Sequence, residues 1–273
     1  MTDVTDVTDV TQWRHSMGPA GPLVLVVGDA EDVRALVVSV LQRAGMETSE
    51  ATTGSECLAQ VRRNQPDLVV LDLGLSDADG TEICRQLRAI SNCYVLMLSA
   101  SAEEVDVLVG LAVGADGYMA KPFSPREVTA RVQTMLRRVR HQPETPVPGG
   151  HHRRRSTDDA RPRRRASDVE HEVSNVARVG DLEVDLDARE VRIATTQVPV
   201  TRTEFDLLAM LASSPGRVFQ RETLLQGVWQ SEWEGDARLV EVHMSNLRRK
   251  LAAAGVVNPD IRTVRGVGYR LVL

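Results

Sequence analysis

From Leu23 the chain alternates, five times over, a short apolar or strand-like run with a segment of helical length. The runs are LVLVV (23–27), the weaker ETSEA (47–51), DLVVLDL (67–73), YVLMLS (94–99) and GYMA (117–120). Between them lie stretches such as DVRALVVSVLQRAG, whose apolar residues recur at helical spacing and which Gly45 would stop. SPRE at 124–127 opens the last helix, with Ser124 as N-cap, Pro125 in the first turn and Glu127 closing a capping box. Strands joined by helical crossovers run parallel and need helices on both faces. The expectation for residues 22–140 is a five-stranded, doubly wound α/β domain.

With 273 residues the chain exceeds one typical core and suits two. After Arg140 the text becomes HQPETPVPGGHHRRRSTDDARPRRRASDVEHEV, rich in Pro, Gly, Arg and Asp, so 141–176 reads as a flexible linker that buries no core. Its near-duplicate RRRSTD and RRRASD set Ser156 and Ser167 behind three arginines. That is a solvated tether with some attraction for nucleic acid or, more sharply, a substrate for a Ser/Thr kinase that prefers basic sites. From Val179 come short β-like pieces, a helix opened by the capping box TRTE (201–204), RETLLQGVW, and DARLVEVHMSNLRRKLAAAG. The last puts Val240, Met244, Leu247 and Leu251 on one face and Arg238, Glu241, Ser245 and Arg248 on the other. IRTVRGVGYRLVL then reads as a hairpin bent at its glycines. A smaller α+β winged helix-turn-helix over 177–273 is expected.

Residues 1–21 repeat Thr-Asp-Val three times and carry acids where a signal peptide needs bases. They are expected to be a disordered tail, with translation starting at Met1 or Met17. No uncharged apolar run approaches the roughly 18 to 20 residues of a membrane span. Cys57, Cys84 and Cys93 are odd in number, form no CxxC and sit in or beside apolar stretches, which suits structural thiols in a reducing cytoplasm. The net charge of −5 hides an asymmetry, because residues 238–270 hold seven bases against two acids. That stripe fits a polyanion such as double-stranded DNA.

In a doubly wound sheet functional groups collect beyond the carboxyl ends of the strands. Asp29, Asp72, Ser99 and Lys121 fall there, each from a different strand. Neighbouring carboxylates repel unless a hard cation neutralises them. Mg²⁺ would be satisfied by two carboxylates, a backbone carbonyl such as that of Gly74, and water. A carboxylate oxygen, with Asp72 the foremost candidate, could then attack a phosphoryl group clamped by metal and ammonium, leaving an acyl phosphate.

VLVVGDAED, LVVLDLGLSDADG, VLMLSAS and GADGYMAKPF resemble, in order, the motifs of the receiver domain of two-component response regulators, over about residues 23–138. The resemblance implies a flavodoxin-like sheet of order 2-1-3-4-5. It makes Asp72 the phosphoacceptor, Asp29 an Mg²⁺ ligand, Ser99 the hydroxyl that follows the phosphoryl group and Tyr118 a rotamer switch. Lys121 would pair with the phosphate, and its bond to Pro122 would be cis. Three departures stand out. Gly28 occupies a usually acidic position, with Glu31 and Asp32 close by in the next helix. Ser76 replaces a usual proline. On the face through which such domains dimerise, Val107 and Gly117 replace a basic and an acidic residue, while Asp116, Glu127, Arg131 and Arg138 remain.

RLVEVHMSNLRRKL and IRTVRGVGYRL, supported by TRTEFDLLAML and RETLLQGVW, resemble the winged helix-turn-helix effector of the OmpR/PhoB subfamily. By that likeness Arg238, Arg248 and Arg249 meet phosphates or bases and Arg265 at the wing tip reaches the minor groove. Ser245 and Asn246 stand where many relatives are basic, Asn246 being an adenine reader if it faces the groove, and His243 is expected to pack. The function implied is a cytoplasmic, non-enzymatic regulator, phosphorylated at Asp72 by a sensor histidine kinase and binding DNA as a homodimer. The alternatives are a transcription factor independent of phosphorylation, suggested by Gly28 and Ser76, and an aspartate-dependent phosphoryl-transfer enzyme. The enzyme would need a second acid two residues after its nucleophile, where Gly74 stands.

Overall fold

The computed structural model describes residues 21–140, 175–229 and 238–273. In the first segment β1 (Leu23–Val27), β2 (Glu47–Ala51), β3 (Leu68–Asp72), β4 (Tyr94–Ser99) and β5 (Gly117–Ala120) form one parallel sheet in the order β2-β1-β3-β4-β5. The helices are α1 (Glu31–Arg43), α2 (Gly54–Asn64), α3 (Gly80–Ile90), α4 (Glu104–Ala112) and α5 (Pro125–Arg140).

Every residue of β1, β3 and β4 is buried, as a sheet covered on both faces requires. Alternate residues serve opposite layers. Val24, Val26, Leu68, Val70 and Leu96 pack with Val37, Leu41, Val128 and Val132 of α1 and α5. Leu25, Val27, Val69, Leu71 and Met97 pack with Leu58, Ile83, Leu87 and Leu111 of α2, α3 and α4. The weak run ETSEA is the edge strand, mostly out of the core, which is why its sequence carries little apolar pattern. Gly45, at φ +81°, takes a left-handed turn just beyond α1. The Ser124–Glu127 capping box is present, each backbone N–H donating to the other's side chain, at 2.6 and 3.2 Å.

The second unit begins with an antiparallel meander, β6 (Val176–Val179), β7 (Leu182–Asp185), β8 (Glu190–Ile193) and β9 (Thr196–Gln197). It continues with α6 (Arg202–Ala212), β10 (Phe219–Gln220), α7 (Arg221–Trp229), α8 (Arg238–Ala253) and the hairpin β11 (Asp260–Val264) and β12 (Gly268–Val272). β10 joins the hairpin along β12, giving a three-stranded wing behind three helices. Val240, Met244, Leu247 and Leu251 face the interior with Leu207, Leu208 and Leu211 of α6, the apolar stripe expected from the sequence. The second capping box holds too, between Thr201 and Glu204.

All three cysteines are buried free thiols, and burial pushes Cys57 up to about 12 and Cys84 up to about 11. Among the described residues no helix is long and apolar enough to cross a membrane. Ser156, Ser167, Met1 and Met17 lie outside the described residues.

Candidate functional site

Asp72 ends β3 and is only 4 % exposed. A carboxylate so deep needs donors, and it has two: Lys121 Nζ lies 2.5 Å from Oδ2, and the Gly74 N–H donates to Oδ1 at 3.1 Å. Lys121 is delivered by the turn after β5, where the Lys121–Pro122 peptide is cis, as the resemblance implied. Ser99, at the end of β4, is also buried and accepts the Ser101 N–H on Oγ at 3.1 Å. Tyr118 on β5 donates its hydroxyl to the Ser101 carbonyl at 2.9 Å. Ser99 and Tyr118 thus grip one residue of the β4–α4 loop from its two ends. The sheet edge brings Asp72, Lys121 and Ser99 together, and Tyr118 joins them through Ser101.

A side chain at Gly28 would place its Cβ 3.5 Å from the Asp72 Cβ and 3.6 Å from Oδ2. An acid at that position would therefore reach the Asp72 carboxylate, and this chain has none to offer. Asp29 is exposed beside it, and Arg34 of α1 covers the Gly28 carbonyl at 2.7 Å while pairing with Glu50 at 3.0 Å. Asp32 accepts the Val33 N–H at the start of α1. Among the described residues no group of three His, Cys, Asp or Glu side chains is assembled to hold a metal. The hard oxygens of Asp29, Asp72 and the Gly74 carbonyl suit Mg²⁺, which keeps several of its waters.

The loop after β3, which carries Ser76 in place of a usual proline, is fastened through Asp77. Asp77 accepts the Gly54 N–H on Oδ1 at 2.9 Å and the Ser55 hydroxyl on Oδ2 at 3.1 Å. Those bonds, the Gly54 amide foremost, hold the Asp77 carboxyl below its usual range.

The expected dimer residues divide. Asp116 is 1 % exposed and faces inward, its Oδ2 accepting Arg88 Nη2 at 2.6 Å and the Val95 N–H at 2.9 Å. It is therefore not displayed to a partner in this arrangement; Arg88 has taken it as the counter-ion that a buried carboxylate requires. Glu127 lies on the surface, committed to Ser124. Burial pulls Arg131, one turn along α5, down to about 10. The Arg138 side chain lies outside the described positions. A side chain at Gly117 would point at Leu96 and Met135, so an acid there would meet apolar atoms.

In the second unit Asn246 departs from its expected place. It is 5 % exposed and turned toward the first unit, its Nδ2 donating to the Leu111 carbonyl at 3.2 Å while Oδ1 accepts Arg249 Nη2 at 3.0 Å. It faces no groove because α4 stands in front of it. Arg248 is committed as well: it donates to the Ile261 carbonyl at 2.8 and 2.6 Å and to Thr263 Oγ1 at 2.8 Å, stapling α8 to the hairpin. Arg238 pairs with Glu104 at 3.0 Å. Ser245, Arg249 and Arg265 are exposed, with Gly266 at φ +73° making the turn beside Arg265. His243 is fully buried, as expected, with its ring 5.6 Å from that of Trp229. Further contacts join the units, from Trp229 Nε1 to the Asp116 carbonyl at 3.4 Å and from Arg202 Nη1 to the Asp67 carbonyl at 3.2 Å. Sequence reading missed this seam. Its one trace was Val242, an apolar residue midway between Arg238 and Asn246 on an otherwise polar stripe.

An acid–lysine pair at the edge of a doubly wound sheet, joined to a winged helix, defines a receiver-bearing transcriptional regulator. Residues 24–133 match the model of the response regulator receiver domain, and residues 195–271 that of the C-terminal domain of transcriptional regulatory proteins. The chain is 39% identical to the alkaline phosphatase synthesis transcriptional regulatory protein PhoP of Bacillus subtilis over 249 residues, 91% of this chain and 95% of that one. It is 39% identical to transcriptional regulatory protein CreB of Escherichia coli over 252 residues (91% and 96%), and 37% identical to the DNA-binding response regulator MtrA of Mycolicibacterium smegmatis over 247 residues (90% and 95%). A solved structure of a RitR mutant shares the fold, at TM-score 0.68 and 22% identity over 92% of this chain and 99% of that one. The chain belongs to the OmpR/PhoB family of DNA-binding response regulators of two-component systems.

Proposed function

We propose that a sensor histidine kinase phosphorylates Asp72 and that the resulting acyl phosphate changes the affinity of the winged helix for double-stranded DNA, and so transcription. The observation that carries this reading is the buried Asp72 held against Lys121 at 2.5 Å, beside Ser99. A carboxylate oxygen of Asp72 attacks the phosphorus of a phosphohistidine, the P–N bond breaks, and the imidazole nitrogen keeps the electron pair and takes up a proton. Mg²⁺ held by Asp29, Asp72 and the Gly74 carbonyl would screen the phosphoryl charge during transfer. Lys121 moves its ammonium from the carboxylate to a phosphoryl oxygen, a task suited to a point charge on a flexible stem. The Ser99 hydroxyl turns to another phosphoryl oxygen and releases the Ser101 N–H, so the loop leading into α4 becomes free to repack.

Asp72 is in this reading an acceptor and not a catalyst acting on a metabolite. Gly74, whose N–H holds the carboxylate, stands where an acid–base partner would be needed. The active form is a homodimer in the cytoplasm, and a Ser/Thr kinase acting at Ser156 or Ser167 would lower the linker's positive charge. A regulator independent of phosphorylation is favoured by one observation, the side-chain vacancy at Gly28 against Asp72. One experiment separates the two readings. The full chain is incubated with a small phosphodonor and Mg²⁺, and intact masses of the wild type and Asp72→Asn are compared. The wild type alone should gain one phosphoryl group; no gain at saturating donor overturns the phosphorylation reading.

A further inference from the structure

Between the end of α3 and the strands that open the second unit lies a cavity of about 350 Å³. That is the lower end of the range, about 300 to 1,000 Å³, in which small molecules are held. The receiver contributes Arg88, in the last turn of α3, and Asn92 just beyond it. The effector contributes Arg189 from the β7–β8 turn, Gln197 at the end of β9 and Lys250 in the last turn of α8. Phosphoryl transfer at Asp72 uses none of these residues.

The charges around the cavity lie at unequal depths. Each cation is matched by an acid, Arg88 by Asp116, Arg189 by Asp206 and Lys250 by Glu204, all at 2.6 Å. Those acids stand behind the wall, with side chains 0%, 15% and 1% exposed, whereas the three cations line the space. Glu190 is the one acid lining it among the described residues, and Arg192 neutralises it at 2.6 Å. The cavity therefore presents a positive face although the groups around it balance. Donors are in excess as well. Glu204 takes one of the three Lys250 N–H groups, and Arg189 spends Nη2 on Asp206 and the Arg202 carbonyl, with Nη1 and Nε left over among the described residues.

Arg189 also sits at φ +54°, a left-handed conformation that disfavours residues bearing a Cβ. A glycine would make that turn without strain, so it is the side chain that keeps an arginine there. One carboxylate would leave part of this positive face unanswered. A phosphoryl group, with nearly two negative charges and three acceptor oxygens, matches both the guanidinium forks and the ammonium point charge.

We infer that this cavity is a binding site for a small phosphate-bearing molecule, held by Arg88, Arg189 and Lys250 across the boundary between the two units. Because its walls come from both units, the ligand binds while they face each other and, by linkage, favours that facing. Neither the site nor its ligand depends on the reading of Asp72.

The test titrates the unphosphorylated full chain with inorganic pyrophosphate in metal-free buffer by calorimetry, with glutarate as a dicarboxylate probe. Two variants put an acid into the cavity without touching a cation or the core: Asn92→Asp on the receiver wall and Gln197→Glu on the effector wall, both exposed positions. Gln133→Glu, exposed on α5, makes the same change of charge elsewhere. The wild type should bind one pyrophosphate per chain, saturably and more tightly than glutarate. Each wall variant should melt with the wild type and lose about ten-fold or more in affinity, the scale of a new unit charge a few ångströms from the anion, while Gln133→Glu binds as the wild type does. No saturable binding, unchanged binding in either wall variant, or an equal loss in Gln133→Glu overturns the site. Tighter binding of glutarate overturns its assignment to phosphates.

Discussion

Tyr118 and Ser99 hold the same residue: the phenol donates to the Ser101 carbonyl at 2.9 Å and the serine oxygen accepts the Ser101 N–H at 3.1 Å. Since Ser101 lies just ahead of α4, a change at either side chain is felt at the start of that helix. In Tyr118→Phe the fold should persist, because the ring stays against the core. One hydrogen bond is lost, worth about 1 kcal/mol. The expected result is normal phosphorylation of Asp72, seen by intact mass, with a difference in DNA affinity between phosphorylated and unphosphorylated protein reduced about five-fold. A full phosphorylation response in Tyr118→Phe would remove the tyrosine from the coupling.

Asp77 ties the β3–α3 loop to the first turn of α2, and the bond from the Gly54 amide lowers its carboxyl pKa in the folded protein. A depressed folded-state pKa adds stability above the unfolded value, about 3.9, and that stability is lost as the pH falls through the folded value. Asp77→Asn should therefore melt below the wild type at neutral pH, with the gap narrowing as the pH drops below about 4. A gap that widens in acid would show that the carboxylate is not the fastening.

The pair of Arg88 and Asp116 is buried on both sides, at 11% and 0% side-chain exposure. Asp116→Ala strands the guanidinium and should cost about 3 to 5 kcal/mol in a denaturant titration. Replacing both residues by apolar ones of similar size should recover most of that loss. Were Asp116 a surface dimerisation residue, the single change would leave the unfolding midpoint nearly untouched.

Arg265 and Arg248 separate binding from folding. Arg265 is exposed at the hairpin tip, so Arg265→Ala should keep the melting temperature and lower DNA affinity, with the salt slope of log affinity reduced by about 1. Arg248 spans α8 and the hairpin through three hydrogen bonds, and Arg248→Ala should lower stability by about 2 kcal/mol. Equal melting temperatures for the two variants would contradict this division of labour.

Most of the scaffold was legible because strand burial and helix amphipathicity are local patterns. LVLVV, ETSEA, YVLMLS and GYMA coincide with β1, β2, β4 and β5 to the residue, and both capping boxes form where the sequence puts them. The site at the sheet edge was legible through topology, which dictates where Asp72, Ser99 and Lys121 must surface. Asn246, Arg248 and Asp116 were not, since their partners Leu111, Ile261 and Arg88 lie 135, 13 and 28 residues away and follow no period. A polar residue beside a helix's apolar stripe looks the same in sequence whether it awaits a base, a carbonyl or water.

Lys121 and Lys250 are the only lysines in a chain whose other cationic side chains of fixed charge are arginines, and each holds a buried carboxylate. Lys121 lies on Asp72, and Lys250 reaches Glu204, 1% exposed, at 2.6 Å. Acetylation of either nitrogen would abolish the charge that balances its acid. The chain terminus aside, amine-directed acylation is thus a two-point probe, in which one nitrogen reports the occupancy of the sheet edge and the other the integrity of the effector core.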